Sequence, residues 1–351
     1  MDFKSRGRRA FSLVELVVVI FVIVVVISIV LPALGFARNA AKTADTRNQG
    51  TSLTQAIAVY KNDNNRLPGY FSRAEMGGSA NATRGFTEMQ NVMLDLNGGY
   101  DSTSTVLVGP VTDPARQVKY SNDAVGRKVP GGPNIYFPVS EKYLQKQNGT
   151  ESGARLGVPE HADMKEYVDS FGTPWLLWMA DDSAPGTVDS ITANTGSPFV
   201  LDQYPAAPNG AKARFYWNSN RAFLDGGVFV GKLRKNQTTS SFLGGSAPDK
   251  LRALGAILGN PGSPVDIATT VQSPDIVPSA PRGNYVIMSA GSDGIYLERY
   301  GKGKRHVRSS DGKLHYAANF RNPDDSPIKS NGQNSSIDIS ADFDDVIFAG
   351  D

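Results

Sequence analysis

Glu15 is the residue whose surroundings most demand a chemical explanation. It is the only charge within Phe11–Leu31, a run of 21 residues that holds eighteen apolar side chains and two serines. A carboxylate at the centre of a membrane costs about 2.5–3.5 kcal/mol, and less near the edge, so it needs a cation or a role. Other chemistries find less support. The chain has no cysteine, which excludes a thiol nucleophile, a disulfide scaffold and Cys-ligated zinc or iron–sulfur sites. His161, His306 and His315 are scattered, and none has the four-residue partner spacing of a zinc helix. The stretch from Ala290 to Gly294 misses the nucleophile elbow at its first position. Asp225-Gly226-Gly227 lacks the Gly-Lys-Ser/Thr tail of a phosphate loop. Trp175, Trp178, Phe215, Tyr216 and Trp217 read as core, and the basic run Lys302–Arg308 as a solvated hairpin tip. No catalytic constellation emerges, and the expectation is a protein that is not an enzyme.

The element that must position Glu15 is the apolar run itself. At about 1.5 Å per residue, 21 helical residues reach about 31 Å, close to the hydrocarbon thickness of a bilayer. Ahead of it Lys4, Arg6, Arg8 and Arg9 stand against Asp2. That bias predicts a cytoplasmic N-terminus, with everything after residue 31 exported. Four readings apply to such a start: a cleaved signal, a twin-arginine signal at Arg8-Arg9, a plain signal anchor, and a processed leader. A cleaved signal has a shorter apolar region, and a plain anchor has no use for Glu15. Over the whole chain 36 basic residues meet 34 acidic ones, a net charge of +2, so no nucleic-acid-binding face is expected.

The segment Arg9-Ala10-Phe11-Ser12-Leu13-Val14-Glu15-Leu16 resembles the class III leader of type IV pilins and type II secretion pseudopilins. The resemblance implies cleavage by a prepilin peptidase between Ala10 and Phe11, with methylation of the Phe11 amino group. Phe11 would be the first mature residue, Glu15 the fifth and Pro32 the twenty-second, as in the family pattern. Ala10 stands where the family usually has Gly. In a filament, a carboxylate buried among Val and Ile needs a cation, and the freed amino group of a neighbouring Phe11 supplies one.

Beyond Pro32 and Gly35, Leu34, Ala37, Ala41, Ala44, Leu53, Ala56, Ile57 and Tyr60 recur mostly at spacings of three and four, predicting an amphipathic stem helix over 32–62. From residue 63 to 351 the pattern predicts an exported globular domain. Strands are expected at Asn134–Phe137, Trp175–Trp178, Ala213–Trp217, Gly227–Val230, Asn284–Met288 and Asp345–Phe348, and helices at Thr87–Leu96 and Lys250–Leu258. The expected fold class is α+β, a long N-terminal transmembrane and stem helix packed on a small antiparallel sheet, in the manner of pilins.

Two further stretches carry the resemblance to the G-type major pseudopilin. Asp169-Ser-Phe-Gly-Thr-Pro174 is similar to its Asp-x-Trp-Gly-x-Pro turn, with Phe171 in place of Trp. Ser289-Ala-Gly-Ser-Asp-Gly294 resembles its Ser-x-Gly-x-Asp-Gly loop, and Asp344-Asp345-Val-Ile347 its close. Residues 70–168 and 178–285 have no counterpart in that compact domain; as insertions they are expected to face outward and to carry partner recognition.

In the family the terminal loop holds calcium. Here that implies a site formed by Asp293, Asp344, Asp345, the hydroxyl of Ser289 and the carbonyl of Ala290, all hard oxygen donors. About fifty residues separate the two acidic anchors, and Asp293-Gly294 also reads as a plain turn. The function the resemblance implies is that of a structural subunit of a type II secretion pseudopilus, single-pass in the inner membrane. Its partners would be copies of itself, other pseudopilins, the inner-membrane assembly platform and the prepilin peptidase. A pilin of a type IV pilus, serving adhesion or DNA uptake, and a signal-anchored periplasmic enzyme or binding protein remain the alternatives.

Overall fold

A computed structural model describes residues 13–128, 134–147, 156–181, 198–201, 213–225, 237–244, 253–254, 257–260, 281–299, 329–330, 333–334, 338, 340 and 343–351. It is mixed α+β, with two compact units, Met1–Ala44 and Asp45–Asp351.

The helix α1 runs Leu13–Asn64 without a break, straight through Pro32 and Gly35. The sequence predicts a long transmembrane and stem helix whose two parts change character at Pro32, and the helix carries through that point. Proline removes one donor from a ladder that is otherwise regular on both sides, and Ser28, whose carbonyl loses that donor, turns its hydroxyl back to Val25 O at 2.7 Å. Every side chain from Leu13 to Lys42 is exposed, and this part of the helix is long and apolar enough to cross a membrane. The far end is closed by Asn64, whose Nδ2 donates to Tyr60 O at 2.9 Å, and by Asn65, which takes a left-handed φ of 54°.

In the unit from Asp45 on, α1 buries one stripe, Thr46, Gln49, Gly50, Leu53, Ala56, Ile57 and Tyr60, at the spacing of a single helix face. Between α1 and the central sheet come the short helices α2 (Arg73–Gly77) and α3 (Ser79–Arg84), then α4 (Glu88–Asn97). They are followed by β1 (Gly98–Tyr100), β2 (Leu107–Val108), β3 (Val118–Val125), β4 (Leu144–Lys146), the one-turn α5 (Pro159–Ala162) and β5 (Lys165–Tyr167). Strand β3 lies between β1 and β2, and β4 pairs with β5. Next are β6 (Leu176–Met179), β7 (Pro198–Leu201), β8 (Ala213–Tyr216), α6 (Arg221–Leu224), α7 (Gln237–Ser240), β9 (Tyr285–Ser289), a two-residue hairpin β10 (Lys329–Ser330) and β11 (Gln333–Asn334), and β12 (Val346–Gly350).

The central sheet has the order β12-β9-β6, all antiparallel, with Leu177 opposite Ile287 and Phe348 opposite Ile287 on its other side. Alternation along the strands sorts its two faces. Leu177, Met179, Tyr285 and Ile287 pack with Leu53, Ile57 and Tyr60 of α1 and with Met89, Val92 and Leu96 of α4. Leu176, Trp178, Val286 and Met288 pack on the opposite face with Phe215, Trp217, Phe223, Phe242 and Leu243. A third cluster, including Phe71, Phe86, Leu94, Val108, Val118 and Met164, lies wholly within residues 71–164.

These clusters correct the expectation for the insertions. Their described residues do not merely face outward: α4, from the first, is buried along all ten residues, and Phe215, Trp217, Phe223, Phe242 and Leu243, from the second, join Tyr296, Leu297 and Phe343 on one face of the sheet. A sheet with apolar side chains on both faces needs two covers, and α1 supplies only one. Locally, α4 forms where expected, shifted by one residue. Thr87 is its N-cap, accepting from Gln90 N at 3.1 Å while Gln90 Oε1 accepts from Thr87 N at 3.2 Å. Asn134–Phe137 is not a strand; Tyr136 N and Phe137 N both donate to Leu96 O, at 2.8 and 3.0 Å, and satisfy the end of α4. Gly227–Val230 and the basic run at 302–308 lie outside the described residues, as does most of Lys250–Leu258.

Candidate functional site

Two groups of sequence-predicted residues fall in different units. Ala10 and Phe11 lie outside the described residues; Glu15 stands in the first turn of α1, and Pro32 lies inside that helix.

The second group gathers at the C-terminal end of β9. Despite their separation in sequence, Asp293 and Asp344 meet. Asp344 Oδ2 accepts from Ser292 N at 2.9 Å, Ser292 Oγ at 2.7 Å and Asp293 N at 3.2 Å. Gly291, at φ 66°, makes this approach possible: a Cβ there would lie 2.2 Å from Asp344 O. Asp293 Oδ1 accepts from Ile295 N at 2.7 Å, and both oxygens of Asp345 lie 3.2 Å from Leu297 N. Burial, and then the neighbouring Asp344 charge, push the Asp293 carboxyl up to about 8. Burial, with Asp293 and Asp344 beside it, also raises Asp345 well above the usual carboxylate range.

Ser289 has partners of its own within the protein. The Ser289 hydroxyl donates to Asp169 Oδ2 at 2.6 Å and accepts from Gly291 N at 3.1 Å, so it is engaged within the protein. Ala290 is buried in the core behind the sheet. The donor chemistry fits a hard divalent cation: the three carboxylates supply only oxygen, and among the described residues none has a basic partner. Among those residues, however, no three acidic or imidazole groups already converge as a cage.

Residues outside the expected calcium site hold this region. Asp169 organises its own turn, accepting from Phe171 N and Thr173 N at 2.9 Å each, before reaching Ser289. Gly172 supplies the φ of 89° that the turn requires, and burial pushes the Asp169 carboxyl up to about 6. The Asp-x-Phe-Gly-Thr-Pro spelling marks the turn in the sequence; the bond from Ser289 to Asp169 is what the structure adds. Gln237 had no such signal: its Nε2 donates to Gly294 O at 2.7 Å and its Oε1 accepts from Tyr296 N at 3.1 Å, binding the acidic loop to α7. His161, by contrast, is structural, with Nε2 accepting from Gly109 N at 3.0 Å and Nδ1 beside Arg84 O at 2.8 Å. Comparison with protein-family profiles, with curated proteins and with solved structures returned no match to this chain.

Proposed function

We propose that this chain is a membrane-anchored filament subunit, similar to the G-type pseudopilins, that is trimmed before Phe11 and stacks through α1 into the pseudopilus of a type II secretion system. The observation that carries the reading is the division of α1. One part is apolar and uncovered around its whole circumference, with Glu15 its only acid; the other packs by a narrow stripe on an antiparallel sheet. A helix hydrophobic on every side needs lipid or other helices around it. Both are available to a subunit that leaves a bilayer for a filament. On this reading the basic leader stays in the cytoplasm, the unit from Asp45 on is exported, and Glu15 pairs with the freed amino group of a neighbouring Phe11.

The test is the mass of the membrane-extracted N-terminus after co-expression with a prepilin peptidase. A chain that starts at Phe11 with one added methyl supports the reading; a chain that retains residues 1–10 returns it to a signal-anchored protein. Glu15→Val then separates insertion from assembly: processed, inserted protein without filaments is expected, and normal filaments would remove the role given to Glu15.

Calcium at the loop of Asp293, Asp344 and Asp345 belongs to the same proposal. The ion would supply positive charge where burial disfavours the ionised forms of Asp293 and Asp345. Calorimetric titration of the full chain in detergent is expected to show calcium binding that Asp344→Asn removes; no heat and no shift in melting would discard the site.

A further inference from the structure

A cleft of about 460 Å³ opens between β3, the loop before β2 and the one-turn helix α5, inside the first insertion. Its neutral polar groups are already used. Ser104 Oγ donates to Tyr120 O at 2.6 Å and accepts from Val106 N at 3.1 Å. Asn122 Oδ1 accepts from Lys165 N at 2.9 Å, and its Nδ2 donates to Asp163 O at 2.9 Å. What the cleft still offers is of two kinds. Met164 lies at its buried floor, with Val106, 39% exposed, and Pro159 beside it. At the rim stand the exposed carboxylates of Asp123 and Glu160, neither of which is in a close salt bridge among the described residues, although the charge of Arg84 acts on Glu160 from a distance. Asp163 adds a third acid, and Lys146 is the only cation in the lining.

An apolar floor under an acidic rim suits a chain of methylenes that ends in a positive charge. We propose that the cleft receives a lysine side chain from a basic segment of a partner protein, its stem on Val106, Pro159 and Met164 and its ammonium between Asp123 and Glu160. A glutamate side chain would meet the rim with like charge, and a purely aliphatic one would leave the two carboxylates unpaired. The inference stands on the cleft alone and does not depend on filament assembly.

The test uses the full chain in detergent, with ¹³C-methyl methionine as reporter and Met164→Leu to assign the Met164 signal. The probe is a capped Gly-Gly-Lys-Gly-Gly peptide. It is expected to shift the Met164 methyl saturably, while the norleucine and glutamate analogues leave it in place. Asp123→Asn combined with Glu160→Gln, both at exposed positions, should weaken the lysine peptide by about fivefold or more. The proposal is overturned by no saturable shift, by a norleucine peptide that works as well as lysine, or by a double variant that binds unchanged.

Discussion

Within the single helix α1, polarity and burial are inverted. Ile23 and Val24 are about half exposed, yet farther along Thr46 is fully covered and Gln49 nearly so. The difference is one of solvent. Apolar side chains left uncovered make sense only where something other than water covers them in the working protein. Buried polar side chains make sense only where each finds a hydrogen bond. The stripe meets that demand: Gln49 Nε2 donates to Ser170 Oγ at 2.7 Å, and Thr46 Oγ1 accepts from Ser170 N at 3.3 Å.

The sharpest way to break the comparison is to make the same truncation in both parts. Ile57 is fully buried against α4 and the sheet. Ile57→Ala should cost about 2–5 kcal/mol, the usual range for deleting a buried aliphatic group. Ile23→Ala should stay within about 0.5 kcal/mol in the isolated subunit. Denaturant titration of both variants in the same detergent decides; equal losses would mean that the first part is also held by this chain's own fold.

Glycine provides the next test, because α1 contains one in each part. A Cβ on Gly35 would meet no atom within 4 Å, whereas on Gly50 it would lie 2.0 Å from Cε2 of Phe348. Gly35→Ala is therefore expected to gain up to about 1 kcal/mol from helix propensity alone. Gly50→Ala should lose about 1–3 kcal/mol by overpacking against β12. Pairing it with Phe348→Leu should recover part of that loss, so the two changes will not add. Additive losses would show that the helix–strand approach is looser than drawn. Gln49→Leu follows in size, at about 1–2 kcal/mol, since it removes the acceptor of Trp175 Nε1 at 3.4 Å along with the bond to Ser170.

The two parts also differed in how legible they were. The apolar run, the helix expected at Thr87–Leu96, and the strands expected at Trp175–Trp178, Asn284–Met288 and Asp345–Phe348 are found within two residues of those bounds, because each is written in neighbouring residues. What could not be read depends on residues far apart. Gln237 finds Gly294 across 57 positions, and the meeting of Asp344 with Asp293, 51 positions away, is implied by the resemblance and by no local pattern. Gly50 reads in sequence as a weak point in a helix; only the ring of Phe348 turns it into a requirement. The insertions are legible in part: the aromatic run Phe215–Trp217 reads as core and is core, while their outward placement does not follow, since an outward loop and the cover for a second sheet face can share one composition.

The smallest expected effect lies where the covered part of α1 begins. Burial works to raise the carboxyl of Asp45. Hydrogen bonds from Ser170 Oγ at 2.6 Å and Tyr143 OH at 2.5 Å, with the charge of Lys142, overcome that and hold it below its ordinary value of 3.8. A carboxyl depressed on folding binds its proton more weakly in the folded state. Its contribution is therefore present above the unfolded value and is lost as pH falls through the folded one. Asp169 titrates with the opposite sign: raised to about 6 by burial, it takes stability away as pH rises from its unfolded value of 3.8 toward 6. The raw stability curve mixes the two, but the gap between wild type and Asp45→Asn cancels Asp169 and isolates Asp45. That gap should be open at neutral pH and close as pH falls below 3.8. A gap of constant width down to the acid limit would mean that Asp45 contributes only a hydrogen-bond acceptor, and that charge has no part in fixing where the buried stripe begins.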